Sequence, residues 1–375
     1  YLRLAFEEAR HWPFPERPDR PHPALAVSTD GGTGVVEPII RDNLLARLEA
    51  EHGKVLIAHA LGYLGSSRYG LAESELIDLL SADPEVYRWF LLGSYHLPSD
   101  LVALAANPEL GDTTPATGDA DKAEARARTW LTEVIGTARD GTDTGRLDAF
   151  LDAVLKGPGG PKLPVVLWSR LFFDLEPYLA ERQVEDVVVL DFYHRELRDV
   201  TATQYANGEP GRVLHERLAR YFHTRADPGG QGRWQGEKGR ADRRGLAELP
   251  YHLTCAQRWD DVYQTLTDFT FLENKAAHVG GTRHHEGDAA LYTGVFRLQD
   301  DFDLALARMP GAGEHSSRHR LIVTAVDLGE GLVVRCPRCN TAHPFRKKWQ
   351  GQDITCPTPQ CGGPLKVNPF VVERT

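Results

Sequence analysis

Methionine is almost missing from this 375-residue sequence, with Met309 alone. Cysteine is scarce: there are five, and four fall between positions 336 and 361. So few cysteines, so clustered, exclude the evenly spread disulfide framework of a small secreted protein and point to a reducing, cytoplasmic setting. No apolar run approaches the roughly 18 residues of a membrane-spanning helix, so no membrane partner is expected. No secretory leader stands at the start, where Tyr1-Leu-Arg-Leu-Ala-Phe-Glu-Glu-Ala-Arg10 reads as an acid-bearing amphipathic helix. The missing initiator Met leads us to expect a fragment or a processed piece. A phosphate-binding loop is also lacking. Gly31-Gly32-Thr33-Gly34 is followed by no Gly-Lys-Ser/Thr, and Gly53-Lys54 runs into Val55, which has no hydroxyl for magnesium. Val187 to Asp191 resembles a strand ending in a carboxylate, but Phe192 stands where a second acid would be needed; a winged-helix strand accounts for it better.

What is present is ordinary for a folded domain: 41% hydrophobic and 26% charged residues, in a length suited to two or three domains. The net charge of -10 argues against a protein that coats nucleic acid, yet it is unevenly spread. Residues 333–375 carry +5, which leaves -15 for the remainder. Such asymmetry marks a separate module with its own partner.

Read along the chain, the first helix ends at Trp12-Pro13-Phe14-Pro15, and a Pro- and Gly-rich connector runs to Glu37. Helical periodicity resumes at Ile39, Leu44, Leu45 and Leu48, then continues from Val55 to Leu64 as an apolar helix that should be buried. A turn over Gly65–Gly70 leads to a short helix with Leu71, Leu76, Leu79 and Leu80 inward. Helix, tight turn and helix form a helix-turn-helix pattern. Residues 84–161 are less regular, hold one expected helix (Asp121 to Ala138) and read as an insertion. A helix with Leu167, Trp168, Leu171, Phe172, Leu175 and Leu179 on one face follows. Next come the β-branched strand Val187 to Leu190 and a helix from Tyr193 to Tyr205. The expected fold is mainly α. Residues 1–51 form the end of an ATPase-associated helical domain with a linker, and 52–205 a winged-helix domain with its insertion. A helical domain over 211–310 and a small β-rich zinc ribbon over 320–375 complete the chain. Within the helical domain we expect a helix around Leu214 to Phe222, a Gly-rich loop from Pro228 to Gly245, a helical pair from Leu246 to Phe269, and a helix from Ala289 to Ala307. Leu321 to Val326 should be a strand entering the ribbon.

The sharpest motif is Cys336-Pro-Arg-Cys339, then sixteen intervening residues, then Cys356-Pro-Thr-Pro-Gln-Cys361. Two thiolate-bearing turns a hairpin apart let four sulfurs close a tetrahedron around one structural Zn2+. A full set of four sulfurs leaves no coordination position for substrate water. His343 could stand in for a ligand but is read as a loop residue. Arg346, Lys347, Lys348 and Trp349 combine phosphate-pairing charge with a stacking surface, as nucleic-acid contact would need. They equally suit a solvated hairpin tip. His284-His285-Glu286 and the His315/His319 pair lack the acid of a metalloprotease helix and read as loops. Cys255, near His252, reads as a buried helical thiol. No catalytic constellation is found, so this chain alone is not expected to be an enzyme.

Several stretches taken together resemble a known family. They are Tyr1-Leu-Arg-Leu-Ala-Phe-Glu-Glu8, Ala60-Leu-Gly-Tyr-Leu-Gly-Ser-Ser-Arg-Tyr-Gly-Leu71, Val166-Leu-Trp-Ser-Arg-Leu-Phe-Phe-Asp-Leu-Glu-Pro-Tyr-Leu179, Asp191-Phe-Tyr-His-Arg-Glu-Leu-Arg198, Leu249-Pro-Tyr-His-Leu253 and Leu266-Thr-Asp-Phe-Thr-Phe-Leu272. Over residues 1 to about 275 the chain is similar to the post-ATPase region of NACHT-like STAND NTPases. That resemblance implies a P-loop core upstream of Tyr1, with ATP or ADP bound there. It also implies that His194 reaches the ADP β-phosphate from the winged helix and helps hold a closed state. A histidine bonded at a domain interface would account for the same residue. Ala72 departs from the pattern, since Ser or Thr would cap the second helix better. The expected function is then a regulatory and oligomerisation arm of an ATP-dependent switch in signal transduction or defence. Its partners would be the upstream NTPase domain and further copies of the chain, and the ribbon an appended sensor or adaptor. The alternative is a zinc-ribbon module that binds nucleic acid or protein on a helical scaffold.

Overall fold

The computed structural model describes residues 36–107, 120–155, 160–280, 289–309 and 333–367, the last without 340, 345 and 350. The expected first helix, the connector with Gly31–Gly34, His284–Glu286, His315, His319 and the strand at Leu321 to Val326 lie outside the described residues. The described residues are mainly helical, with three two-stranded antiparallel sheets. They fall into two compact units, divided after Arg217.

In the first unit a π-helical turn, Ile39–Leu45, runs into α1, Ala46–His52. Gly53 breaks the helix at φ +89°, and α2, Lys54–Ser66, starts beyond it. A Cβ on Gly53 would lie 2.6 Å from the Trp89 ring, so glycine is required there for both conformation and space. As its composition foretold, α2 is buried nearly all round, through Leu56, Ile57, Ala60, Leu61, Tyr63 and Leu64. It is packed by α1, by α3 (Glu73–Ser81), by α4 (Pro84–Gly93), by β2 (Val187–Phe192) and by α9 (Arg195–Tyr205). Leu71 is not helical as expected. It forms an isolated antiparallel bridge with Leu190, bonded in both directions at 3.1 and 2.8 Å.

The stretch read as irregular is helical. Besides α4 it holds α5 (Ser99–Ala105), α6 (Ala120–Arg139) and α7 (Gly145–Val154). At α4 the cause is capping that periodicity does not display. Asp83 precedes Pro84 and accepts from the Glu85 and Val86 amides. Helices α4 to α7 pack largely on one another, with Trp130 edge-on to Phe150 at 5.2 Å.

Helix α8, Val165–Leu175, follows and buries Trp168, Leu171 and Leu175. It docks on α3 through Trp168 Nε1, which donates to Glu73 Oε1 at 2.8 Å, while the Leu163 amide donates to Ser81 Oγ at 3.0 Å. Leu179, expected on this helix, instead opens β1, Leu179–Val184, because Pro177 ends the helical run in a 3-10 turn. β1 pairs with β2 from Leu179↔Phe192 to Val184↔Val187. Helix, bridge, helix, a distant third helix and a hairpin whose second strand returns to the bridge make up a winged helix, with α4–α7 set inside it.

In the second unit the expected helical pair is three helices: α11 (Arg243–Cys255), α12 (Trp259–Thr267) and α13 (Phe269–His278). Asp268 separates the last two by accepting from the Phe271 amide. Helix α10, Glu209–Ala226, carries residues of both units, and α14, Ala289–Arg308, packs on α11 and α13. The core includes Phe222 stacked on His252 at 5.6 Å, a buried Arg244–Glu248 pair and a buried Lys275–Asp301 pair at 2.5 Å. Cys255 is half-buried, not fully buried as expected, and accepts from Arg308 Nη1 at 2.9 Å.

Two three-residue hairpins complete this unit. β3 (Val333–Arg335) pairs with β4 (Ala342–Pro344), and β5 (Asp353–Thr355) with β6 (Pro364–Lys366). Their core is Val334, Cys336, Cys356, Leu365 and Val367, with Trp349, Ile354 and Cys361 packed against it.

Candidate functional site

The two hairpins set the four cysteines on two turns that face one another. The Cys336 amide donates to Thr341 O at 3.0 Å and the Cys356 amide to Gly363 O at 2.8 Å, which closes each turn. All four Sγ atoms lie within 4.8 Å of one another. Cys336 Sγ is 3.7 Å from Cys361 Sγ, and Cys339 Sγ is 3.7 Å from Cys356 Sγ. A disulfide needs about 2.05 Å. A tetrahedron with metal–sulfur bonds of about 2.3 Å has edges of roughly 3.8 Å, so the cage is the right size for one ion. The donor set fits zinc: four soft thiolates, partly buried, with no carboxylate among them.

The local fields distinguish the thiols. Hydrogen bonds from the Thr341 hydroxyl and amide, then the Thr358 hydroxyl, bring Cys339 down to about 5. At Cys336 desolvation works against ionisation, but the Cys339 and Arg338 amides prevail and lower it. At Cys361 the Gly363 amide favours the thiolate, yet desolvation and three sulfur neighbours push it up to about 12. Four thiolates in one cage repel, and a divalent cation removes that conflict.

His343 is in strand β4, not in a loop as expected. Its Nε2 lies 3.3 Å from Cys356 Sγ and 3.2 Å from Thr358 Oγ1. Lys347, Lys348 and Trp349 form a single 3-10 turn, with Arg346 5.2 Å over the Trp349 ring. Trp349 also packs on the ribbon core. Its ring is therefore engaged from within the ribbon, which a free stacking platform would not be, while Arg346 and Lys348 are exposed.

His194, expected on a helix, precedes one. It is the N-cap of α9 in extended conformation, φ -113° and ψ 133°, because β2 ends only at Phe192. The Tyr193 amide donates to Tyr178 O at 2.9 Å and fixes the segment to the start of the wing. Its ring is half-buried and meets Tyr193 edge-on at 4.7 Å. One turn along α9, Arg198 pairs with Asp191 and donates to Ser67 O at 3.2 Å. A rigid frame thus holds the imidazole beside the first turn of a helix.

The outward side of α8 carries Val165, Val166 and Phe173, exposed by 60%, 54% and 76%. Arg170 is the only cation in that helix. A helix that reads DNA presents Arg, Lys, Asn or Gln to the groove; this surface presents one Arg among apolar side chains.

Sequence reasoning missed a buried cluster around Asp83. His59 Nδ1 is 2.6 Å from Asp83 Oδ2, the Tyr63 hydroxyl donates to the same oxygen at 2.6 Å, and Arg217 Nη1 donates to it at 2.5 Å. Arg217 Nη2 also reaches Glu85 at 3.1 Å. The only local signal was Asp-Pro at a helix start.

Comparison with known proteins agrees with the winged-helix fold. Residues 30–98 match the family described as NWD1-like, winged helix-turn-helix domain, a stretch that takes in α4 as well as α2 and α3. NACHT domain- and WD repeat-containing protein 1 of Homo sapiens is 28% identical over 362 residues, which covers 87% of this chain and 17% of that protein. Its Mus musculus counterpart is 28% identical over 341 residues, covering 82% and 16%. The chain thus spans about a sixth of the length of the curated relatives it matches. No solved structure matches it. Among the described residues no helix is long and apolar enough to cross a membrane. Residues 30–98 thus match an NWD1-like winged helix-turn-helix domain, and most of the chain is similar to part of a NACHT domain- and WD repeat-containing protein.

Proposed function

We propose that this chain is the cytoplasmic regulatory arm of a NACHT-type, ATP-dependent signalling switch, in which the winged helix senses nucleotide and the ribbon is an appended zinc-bound adaptor. The observation that carries this reading is the placement of His194. It sits at a helix start, on the rigid edge of a winged helix, in a chain related to a NACHT protein. A helix N-terminus favours phosphate, and an imidazole there can donate a hydrogen bond to a bound ADP without moving its frame. Hydrolysis belongs to the NTPase module of the longer protein. Exchange of ADP for ATP would remove the contact, release the arm and permit assembly of further copies. The apolar side of α8 supports a winged helix that meets protein.

The test is native mass spectrometry of the chain joined to its NACHT module, beside the His194→Ala form. We expect ADP to co-purify with the parent protein, and the variant to lose it or to form larger assemblies. Equal ADP content and equal mass distribution in both would remove His194 from the switch. The competing reading, in which Arg346, Lys347, Lys348 and Trp349 grip nucleic acid, predicts a salt-dependent mobility shift with single-stranded or duplex probes. Charge reversal of the three cations would abolish that shift. The packing of Trp349 supports it less.

A further inference from the structure

The four-sulfur cage has an outer layer of polar groups whose arrangement points beyond metal binding itself. Thr341 and Thr358 hydroxyls stand 3.4 and 3.6 Å from Cys339 Sγ, and Arg338 Nη1 reaches Cys361 O at 3.0 Å. Cys356 is served differently. Its sulfur is 3.3 Å from His343 Nε2, and the same nitrogen is 3.2 Å from Thr358 Oγ1. His343 is not loosely placed: its strand is paired, with His343 opposite Val334, whose side chain lies in the ribbon core.

A thiolate bound to a metal accepts hydrogen bonds and donates none. The nitrogen beside it must then carry the proton, which fixes the tautomer. A ring N–H aimed at a coordinated sulfur draws charge from it and holds its orientation, as outer hydrogen bonds do at other metal sites. We propose that His343 is a positioning residue of the zinc centre, donating Nε2–H to the Cys356 thiolate and slowing release of that sulfur from the ion, and that it is not itself a ligand. This rests on the four-cysteine metal reading above, and the ribbon then exchanges zinc more slowly than four sulfurs alone would.

The test uses the full chain, reconstituted with Co2+ for the ligand set and with Zn2+ for affinity and release to a chromogenic chelator. We expect an all-thiolate, tetrahedral Co2+ spectrum in the parent protein and unchanged in His343→Ala. In that variant Zn2+ should bind about 10–100-fold more weakly and leave faster, the usual effect of losing an outer partner. His343→Gln, which keeps an N–H donor, should recover part of the loss. If His343→Ala does not fold, His343→Gln decides: zinc release indistinguishable from a His343→Phe form, which fills space but cannot donate, overturns the proposal. A Co2+ spectrum showing nitrogen ligation that His343→Ala removes makes His343 a ligand and overturns it too. Equal zinc affinity and release in all forms does the same. A chain that takes up no metal overturns both this proposal and the metal centre beneath it.

Discussion

At the scale of single residues the first unit depends on groups whose value arises only from their neighbours. Burial pushes the Asp83 carboxyl up, but the hydrogen bond from His59, with the charge of Arg217 and the Tyr63 hydroxyl, leaves it below the usual 3.8. A carboxyl lowered by folding contributes stability that is complete above its unfolded value and lost as pH falls through the lowered one. Thermal melts should therefore weaken below about pH 4. At neutral pH Asp83→Asn should lower unfolding free energy by about 3–5 kcal/mol, since it takes the buried carboxylate from Arg217 and leaves it only the exposed Glu85. The acid-induced loss should be smaller in the variant; an unchanged acid limb would show that Asp83 is not its source. Gly53 offers a second case. Gly53→Ala places a methyl both at a positive φ and into the Trp89 ring, and should cost about 1–3 kcal/mol in denaturant titration. Neither residue was legible beforehand. Asp83 and Arg217 are far apart in the chain, and nothing in a linear pattern brings them together.

At the scale of elements, what could be read depended on whether the signal was local. Helix α2 was legible because an all-apolar helix has one home, the interior. The four cysteines were legible because two short turns encode a cage by spacing alone. Strand β1 was not, since Leu179-Ala-Glu-Arg-Gln-Val184 is mostly exposed and shows no alternation. Helices α4, α5 and α7 were hidden by shortness, and α4 also by its cap, Asp83, which supplies what periodicity lacks. The start of α3 gives a test of this capping logic. Ala72 is its N-cap and has no side-chain acceptor, while Glu75 Oε2 already accepts from the Ala72 amide at 2.9 Å. Ala72→Ser would add the missing half of the reciprocal pair. Chemical denaturation should show a gain of about 0.5–1 kcal/mol. A loss would mean that burying the hydroxyl outweighs the cap.

At the scale of the whole molecule, the ribbon and the helices draw stability from different sources. Strands of three residues around a core of five side chains do not bury enough apolar surface to stand alone. Removing metal with a strong chelator should leave the amides of 333–367 exchanging freely with solvent deuterium, while those of α2 stay protected. Protection unchanged in both would show that the ribbon does not need its ion. The strand read from the sequence as part of a winged helix, β2, is also the element that leads into His194. The strand was therefore readable from a few residues, while the position of His194 before its helix was not.

The Leu71–Leu190 bridge joins points roughly 120 residues apart, with the helices α3 to α8 strung between them, and such distant closure is slow to find. During synthesis α2 and α3 leave the ribosome long before the strand they need, so their apolar faces wait uncovered. Replacing residues 94–161, which spares α4 and its packing on α2, with a short linker should speed refolding of this unit, and the inserted helices are then a delay built into its assembly.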